Sequence, residues 1–517
     1  MGHAIPRSAS VAVIGAGAMG AGIAQIAAVA GHPVQLLDLK PGAAATAIAG
    51  IRATLAKLAA KGKISAADAD TAGARLQVAE TTAALAGAAL VVEAVVERLD
   101  VKRALFAELE AIVAPDCILA SNTSSISVTA IAAGLQRPQR VLGMHFFNPA
   151  PLMALVEVVS GLATDPALAQ AVFDLAAAWG KSPVHTKSTP GFIVNRVARP
   201  YYAEALNLLA EQAADAATLD AVMRDAGGFR MGPFELMDLI GHDVNLAVTR
   251  SVFQAYHHDP RFAPSLIQQE LVDAGYLGRK TGRGFFSHGD TAARPQPHDE
   301  PAAALANGVT LWPGLTNELT NTLTSALAAR LRAAGVPFTL QDRAHADGRV
   351  LRVGDAVVYL TDGRSATQRA RDNGVEATVL LDLALDYATA PRVALCAADG
   401  CLPAACTAAV AVFQAAGFAV SRLDDVPGMA VMRTVAMLAN EAADAVYQGV
   451  CDAAAADVAM QKGVNYPRGP LAWGQSVGLR HVLTVLDHLA AAYGAYRYRA
   501  SALLRRKVAS GQSFHAG

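Results

Sequence analysis

Charge is scarce in this sequence and evenly balanced. Only 17% of its 517 residues are Asp, Glu, Lys or Arg, with 43 basic against 44 acidic and a net charge of −1. No polybasic run occurs, which argues against nucleic acid or an anionic membrane surface as the main partner. Residues 9–37 contain no charged residue, a stretch long enough to raise a signal peptide or a membrane span. Five glycines (Gly15, Gly17, Gly20, Gly22, Gly31) interrupt it, only Arg7 precedes it and no convincing cleavage site follows. The stretch is therefore expected inside a folded domain, and the chain in the cytoplasm. The five cysteines (Cys117, Cys396, Cys401, Cys406, Cys451) form no CxxC pair, which fits a reducing compartment with the thiols as small apolar fillers. The cluster at 396–406 lacks a second ligand pair with zinc spacing, so no metal is expected. Gly278-Arg279-Lys280-Thr281 lacks the preceding glycine of a P-loop, and no GxSxG elbow is present.

What is present is organised. Hydrophobic content is 53%, much of it alanine, which suits soluble Ala-rich helices, and the length predicts two to four domains. Short β-branched runs alternate with longer helical ones over residues 1–189: Ser10–Ile14, Val34–Asp38, Leu90–Ala94, Ile118–Ser121, Val141–His145 and Ala154–Val159 read as strands. This predicts an α/β domain with a mainly parallel sheet. Residues 190–287 read as an all-α domain, with Gly232-Pro233 at a helix start. Residues 288–308 read as a linker. Residues 309–422 read as a degenerate Rossmann-like α/β segment, with Val357–Leu360 and Ala377–Leu381 as strands and no second phosphate-binding glycine pattern. The tail, 423–517, echoes the helical domain. Pro190-Gly191-Phe192-Ile193-Val194-Asn195-Arg196 recurs 237 positions on as Pro427-Gly428-Met429-Ala430-Val431-Met432-Arg433. In the same register Glu204 meets Glu441, Asp215 meets Asp452, and Gly232-Pro233 meets Gly469-Pro470. This predicts a second copy of the helical domain. Asn195 becomes Met432 there, so the copy has kept its packing positions and dropped a polar one, and a single active site is expected.

Gly15-Ala16-Gly17-Ala18-Met19-Gly20 follows the first strand and opens an apolar helix. Gly15 suits a tight turn, Gly17 a close approach of pyrophosphate, and Gly20 close helix packing. Asp38 ends the second strand where a carboxylate would accept from ribose hydroxyls and repel a 2′-phosphate, which favours NAD. Farther on, a buried strand ends in His145, and the next places Glu157 among aliphatic residues. A buried carboxylate needs a donor, and an imidazole held by one can take a hydroxyl proton while hydride leaves the same carbon. A satisfied core histidine beside an edge-strand Glu is the competing reading. Asn195, inside a predicted helix, and Ser124, in the loop after a strand, are either site residues or caps and turns.

Together GAGAMGAGIAQ, VVEAVVE, SNTSSIS, HFFNPAPLM, LVEVV, TPGFIVNR, MGPFELMDLIG and GRKTGRGFF resemble the 3-hydroxyacyl-CoA dehydrogenase family across roughly residues 10–287. PGMAVMRTVAMLANEA and GVNYPRGPLAWG resemble its long bacterial subgroup, which includes 3-hydroxyadipyl-CoA dehydrogenase of phenylacetate catabolism. The resemblance implies His145 as general base, Glu157 as its orienting partner, and Ser124 and Asn195 around the reacting oxygen. It implies cofactor contacts at Gly15, Gly17, Met19, Gly20, Asp38, Glu93, Lys102, Ser124, Asn148 and Lys280, and coenzyme A contacts at Thr54 and Lys61. Ala154 stands where the family has lysine, and Arg230 where it has proline. The implied reaction is NAD-dependent oxidation of an L-3-hydroxyacyl-CoA bound in the cleft between the Rossmann and helical domains. 3-Hydroxyadipyl-CoA is the expected substrate and 3-hydroxybutyryl-CoA the alternative. A distal carboxylate would need a cation, for which Arg199 and Arg230 are candidates. A hydroxy-acid dehydrogenase and a non-catalytic NAD-binding protein are rival readings. Shorter relatives pair their helical domains across a dimer, so this chain is expected either as a homodimer or as a pseudo-dimeric monomer.

Overall fold

A computed structural model describes residues 5–289, 292–293, 296–314 and 318–515. Linker positions 290, 291, 294 and 295 lie outside the described residues, as do the ends of the first and last expected domains (1–4, 516–517) and positions 315–317. The chain groups into two compact units, Met1–Arg196 with Gly449–Val464, and Val197–Gln448 with Asn465–Gly517.

The first unit is built on an eight-stranded sheet of β1 (Val11–Ile14), β2 (Val34–Leu37), β3 (Leu76–Val78), β4 (Leu90–Glu93), β5 (Ile118–Ser121), β6 (Val141–Phe146), β7 (Leu155–Ser160) and β8 (Ser182–Lys187). Their order is β3-β2-β1-β4-β5-β6-β7-β8. All neighbours are parallel except β6 and β7, and the order reverses beside β1, where ligands bind in open α/β sheets. The uncharged stretch is thus a β–α–β unit rather than a span. Val11 and Val13 enter the core on one face of the sheet, and Ala12 and Ile14 enter the core on the other. A strand buried on both faces has no place for a charge. β3 and β8 were not among the expected strands: β3 has three residues, and β8 (Ser-Pro-Val-His-Thr-Lys) is an edge strand carrying a proline and polar side chains.

The second unit holds a seven-stranded sheet in the order β10-β9-β11-β12-β13-β14-β15. Its strands are β9 (Thr310–Leu311), β10 (Thr339–Leu340), β11 (Leu351–Val353), β12 (Ala356–Leu360), β13 (Thr378–Leu381), β14 (Arg392–Ala397) and β15 (Ala419–Arg422). β12 to β15 pair parallel, antiparallel, parallel, as β5 to β8 do. The spacing of 237 reaches into this sheet. Met144 faces Val158 across β6 and β7, and Leu381 faces Leu395 across β13 and β14. Helices Pro166–Ala178 and Pro233–Ile240 recur as Pro403–Ala415 and Pro470–Val477. The spacing of 237 is thus already kept at β6, upstream of the helical segment where the sequence made it visible.

The helices also exchange sheets. Helix Ala453–Gly463, expected within a contiguous tail domain, packs on β7 and β8 of the first unit, where Lys187 N–H donates to Val450 O at 2.9 Å. Its counterpart, residues 216–226, packs on the second sheet, with Leu385 N–H donating to Ala226 O at 2.8 Å. The expected linker runs along the second sheet. In the second unit Glu300 N–H donates to Val420 O of β15 at 2.8 Å, and Ala303 N–H to Gln414 Oε1 at 2.9 Å.

Candidate active site

The glycine turn leaves β1 where the strand order reverses. Gly15 has φ +101°, and a Cβ there would lie 2.5 Å from Ala94 O. A Cβ on Gly20 would lie 1.8 Å from Gly15 O, so the helix Ala18–Ala30 packs this closely only without one. At Gly17, the N-cap of that helix, nothing comes within 4 Å of an added Cβ. Open space before unpaired helix N–H groups fits the pyrophosphate of a dinucleotide. Asp38 Oδ2 accepts from Ala16 N–H at 2.7 Å and Oδ1 from Lys40 N–H at 2.8 Å. Its carboxylate thus braces the glycine turn and keeps further lone pairs for ribose hydroxyls. Met19 is half-buried against the apolar core.

Glu93 requires a correction. It is fully buried and its oxygens are engaged by Lys102 Nζ (2.6 Å), Val95 N–H (2.7 Å) and Ser121 Oγ (2.6 Å). A carboxylate so enclosed holds β4 to β5 and does not reach a cofactor. Lys102, 1% exposed, is likewise an internal counter-ion, 3.3 Å from Glu97 as well. Glu97, the second acid of VVEAVVE, is the one at the surface of the crevice. Burial pushes its pKa up, but the bonds it accepts from Thr123 Oγ1 (2.6 Å), Ser124 N–H (3.0 Å) and Ser125 Oγ (3.0 Å), with Lys102 nearby, outweigh that and hold the carboxyl below the usual range. Periodicity could have found it: Glu93 is the last residue of a buried strand, and Glu97 falls beyond it.

His145 and Glu157 stand directly opposite each other on antiparallel β6 and β7. His145 Nδ1 is 2.6 Å from Glu157 Oε2, and both side chains are buried. The rings of Phe147 and Phe192 flank the imidazole, with centroids at 4.5 and 5.7 Å. The other carboxylate oxygen, Oε1, accepts from Ile193 N–H (2.9 Å) and Val194 N–H (3.1 Å) at the start of helix Val194–Val197. Glu157 thus serves the ring and a helix N-terminus at once, which offsets the cost of burying it. An ionised partner fixes hydrogen on Nδ1 and leaves the Nε2 lone pair outward. Asn195, in that same short helix, donates from Nδ2 to Ser124 O at 3.4 Å, so the loop after β5 and the helix meet. Asn122, unforeseen in the sequence, accepts from Phe146 N–H at 2.8 Å and fixes the end of β6.

The remaining expected contacts lie at exposed positions. Asn148 is exposed and precedes a cis peptide bond to Pro149. Thr54 is exposed within helix Ala43–Ala60, its Oγ1 donating to Gly50 O, and Lys61 is exposed at that helix's C-terminal end. Lys280 belongs to the second unit, is exposed and pairs with Asp243 at 2.7 Å.

The sequence profile of the 3-hydroxyacyl-CoA dehydrogenase NAD-binding domain matches residues 10–189. That of the C-terminal domain matches twice, at 191–288 and 428–515, and that of a 3-hydroxybutyryl-CoA dehydrogenase reduced Rossmann-fold domain matches 358–427. A 3-hydroxyadipyl-CoA dehydrogenase of Escherichia coli is 44% identical over 96% of this chain and 97% of its own. A crystal structure of a 3-hydroxybutyryl-CoA dehydrogenase from Escherichia coli K12 superposes with a TM-score of 0.87 at 43% identity, covering 98% of this chain and 99% of that one. Human mitochondrial hydroxyacyl-coenzyme A dehydrogenase is 40% identical over 54% of this chain and 90% of its own. The chain therefore belongs to the 3-hydroxyacyl-CoA dehydrogenase family and is an NAD-dependent oxidoreductase of it.

Proposed function

We propose that the chain oxidises the 3-hydroxyl of an L-3-hydroxyacyl-CoA, with 3-hydroxyadipyl-CoA as the physiological substrate. One observation carries the chemistry: a buried imidazole whose Nδ1 is committed to a carboxylate 2.6 Å away, on the sheet that also bears the glycine turn. Bound NAD supplies the hydride acceptor. Gly15, Gly17 and Gly20 would seat its pyrophosphate, and Asp38 with Glu97 would receive ribose hydroxyls. His145 Nε2 takes the proton of the C3 hydroxyl, Glu157 stabilises the imidazolium that results, and the C3–O bond becomes a carbonyl as C3 loses hydride. Ser124 and Asn195 would position the reacting oxygen, and Thr54 and Lys61 would contact coenzyme A. Running in reverse, protonated His145 donates to the 3-oxo group. The adipyl assignment is supported by the name of the 44% identical relative that matches nearly the whole chain.

We further infer that the second half is an inert copy. The residues 237 positions beyond His145, Glu157 and Asn195 are Asp382, Ala394 and Met432. Asp382, at the position equivalent to His145, accepts from Ala430, Val431 and Met432 N–H at 2.8–3.0 Å and caps helix Val431–Tyr447 much as Glu157 caps Val194–Val197. Within the second unit the paired helices Arg199–Ala210 and Val431–Tyr447 are joined by Arg433, whose guanidinium meets Glu204 and Glu211 at 2.8 Å. An internal partner of this kind supports a pseudo-dimeric monomer. The test is NADH formation with a panel of 3-hydroxyacyl-CoA thioesters. His145→Gln should abolish turnover while NAD binding persists, and near-normal turnover in that variant would refute the assignment of the base.

A further inference from the structure

In the second unit, Arg199 opens the helix Arg199–Ala210 and lines a cavity of about 100 Å³ with Tyr202, Asn245, Thr249, Ser265 and Gln268. Arg199 is 6% exposed, and among the described residues no carboxylate pairs with it. Nη1 donates to Thr249 Oγ1 at 3.1 Å, the group lies 4.9 Å over the Tyr202 ring, and Nε–H has no hydrogen-bond partner. Its electrostatic neighbours are the phenols of Tyr202 and Tyr466, and burial holds its basicity below the usual value. A buried cation without a counter-ion is costly, and a native fold keeps one only for a reason.

Packing is not that reason, because the repeat of the same helices manages without it. The residues 237 positions beyond Arg199, Tyr202, Asn245 and Thr249 are Ala436, Ala439, Val482 and Leu486, all buried. At these four positions the second copy is apolar, whereas the first keeps a cation, a phenol, an amide and a hydroxyl around a void that Arg497 also lines. The polarity sits in the half that also keeps His145, Glu157 and Asn195. A carboxylate suits the void: it is planar, anionic and small enough, and its two oxygens match the free edge of a guanidinium. Arg230, the other cation suggested by the sequence, is exposed and lines no part of this cavity.

We propose that the Arg199 cavity is a carboxylate-binding site. The carboxylate comes either from the far end of a dicarboxylic acyl chain, a source that rests on the substrate reading above, or from a free small dicarboxylate. The full-length protein, without substrate, is titrated with adipate and with its uncharged diamide while its melting temperature and heat of binding are followed. Saturable stabilisation by adipate, absent with the diamide, lost in Arg199→Met and weakened in Thr249→Val, is the expected result. Arg199→Met without ligand should melt no lower than the parent, since an unpaired buried charge has been removed. kcat/KM is then compared for 3-hydroxyadipyl-CoA and 3-hydroxyhexanoyl-CoA. A fall of roughly 30-fold or more in their ratio in Arg199→Met assigns the carboxylate to the acyl chain. An unchanged ratio with Arg199-dependent adipate binding assigns it to a free ligand. No adipate binding by the parent, together with an unchanged ratio in both variants, overturns the proposal. If Arg199→Met does not fold, the parent titration and Thr249→Val still decide. Absence of turnover on every thioester would sink the substrate reading and leave the titration readable.

Discussion

Replacing Glu157 by Gln separates the two tasks of that side chain. The amide oxygen can still accept from Ile193 and Val194 N–H, which Oε1 receives at 2.9 and 3.1 Å. The amide nitrogen then faces His145 Nδ1, where Oε2 now sits at 2.6 Å. A donor at that place forces the imidazole hydrogen onto Nε2, so the lone pair that would take the hydroxyl proton is gone. The same exchange of carboxylate for amide in the serine-protease triad lowers kcat about 10⁴-fold through the wrong tautomer. A loss on the order of 10³–10⁴, or about 4–5.5 kcal/mol of barrier, is therefore expected here. Stability should change by only about 1 kcal/mol, because one charge-assisted hydrogen bond becomes neutral while the helix cap survives. Glu157→Ala, by contrast, strands two amides and a ring nitrogen and should cost about 3 kcal/mol or more. Initial rates of NADH formation, NAD affinity by fluorescence and denaturant midpoints read all three quantities. A Gln variant with turnover within tenfold of the parent would refute the tautomer argument. One that unfolds like the Ala variant would refute the division of roles.

Gly17→Ala should fold normally, since an added Cβ meets nothing, yet weaken NAD binding at least tenfold, whereas Gly20→Ala should lower the melting temperature because its Cβ would lie 1.8 Å from Gly15 O. NAD titration beside thermal unfolding distinguishes them. Asp362, held by Arg364 at 2.6 Å and by Arg369, has its acidity strengthened to about 2 from the ordinary 3.8. It contributes about 2 kcal/mol of stability that is present above pH 4 and lost as pH falls toward 2, and Asp362→Asn should flatten that limb of the stability–pH curve. Arg433→Met should cost about 3 kcal/mol in a denaturant titration, because Glu204 and Glu211 lose a buried partner. Its kcat should hold wherever the protein remains folded.

The sequence determined the local parts of this protein. A charge-free β–turn–α–β stretch with three spaced glycines admits one compact reading, because buried parallel strands exclude charge and a tight turn excludes Cβ. A carboxylate among aliphatic residues announced that it would be partnered, and the recurrence at a spacing of 237 announced repeated helices. Tertiary structure decided what depends on distant neighbours. Glu93 and Glu97 are equivalent as letters, and only the closing of β4 onto β5 buries the first and leaves the second in the crevice. The spacing of 237 is already kept at β6, which was not legible in the sequence because Asp382 and Ala394 stand where His145 and Glu157 would have been echoed. Likewise, only packing shows that helix Ala453–Gly463 covers β7 and β8, and that Arg199 is buried with no counter-ion among the described residues. Chain-local chemistry is written residue by residue, whereas pairing and burial are properties of surfaces that exist only after the chain has folded.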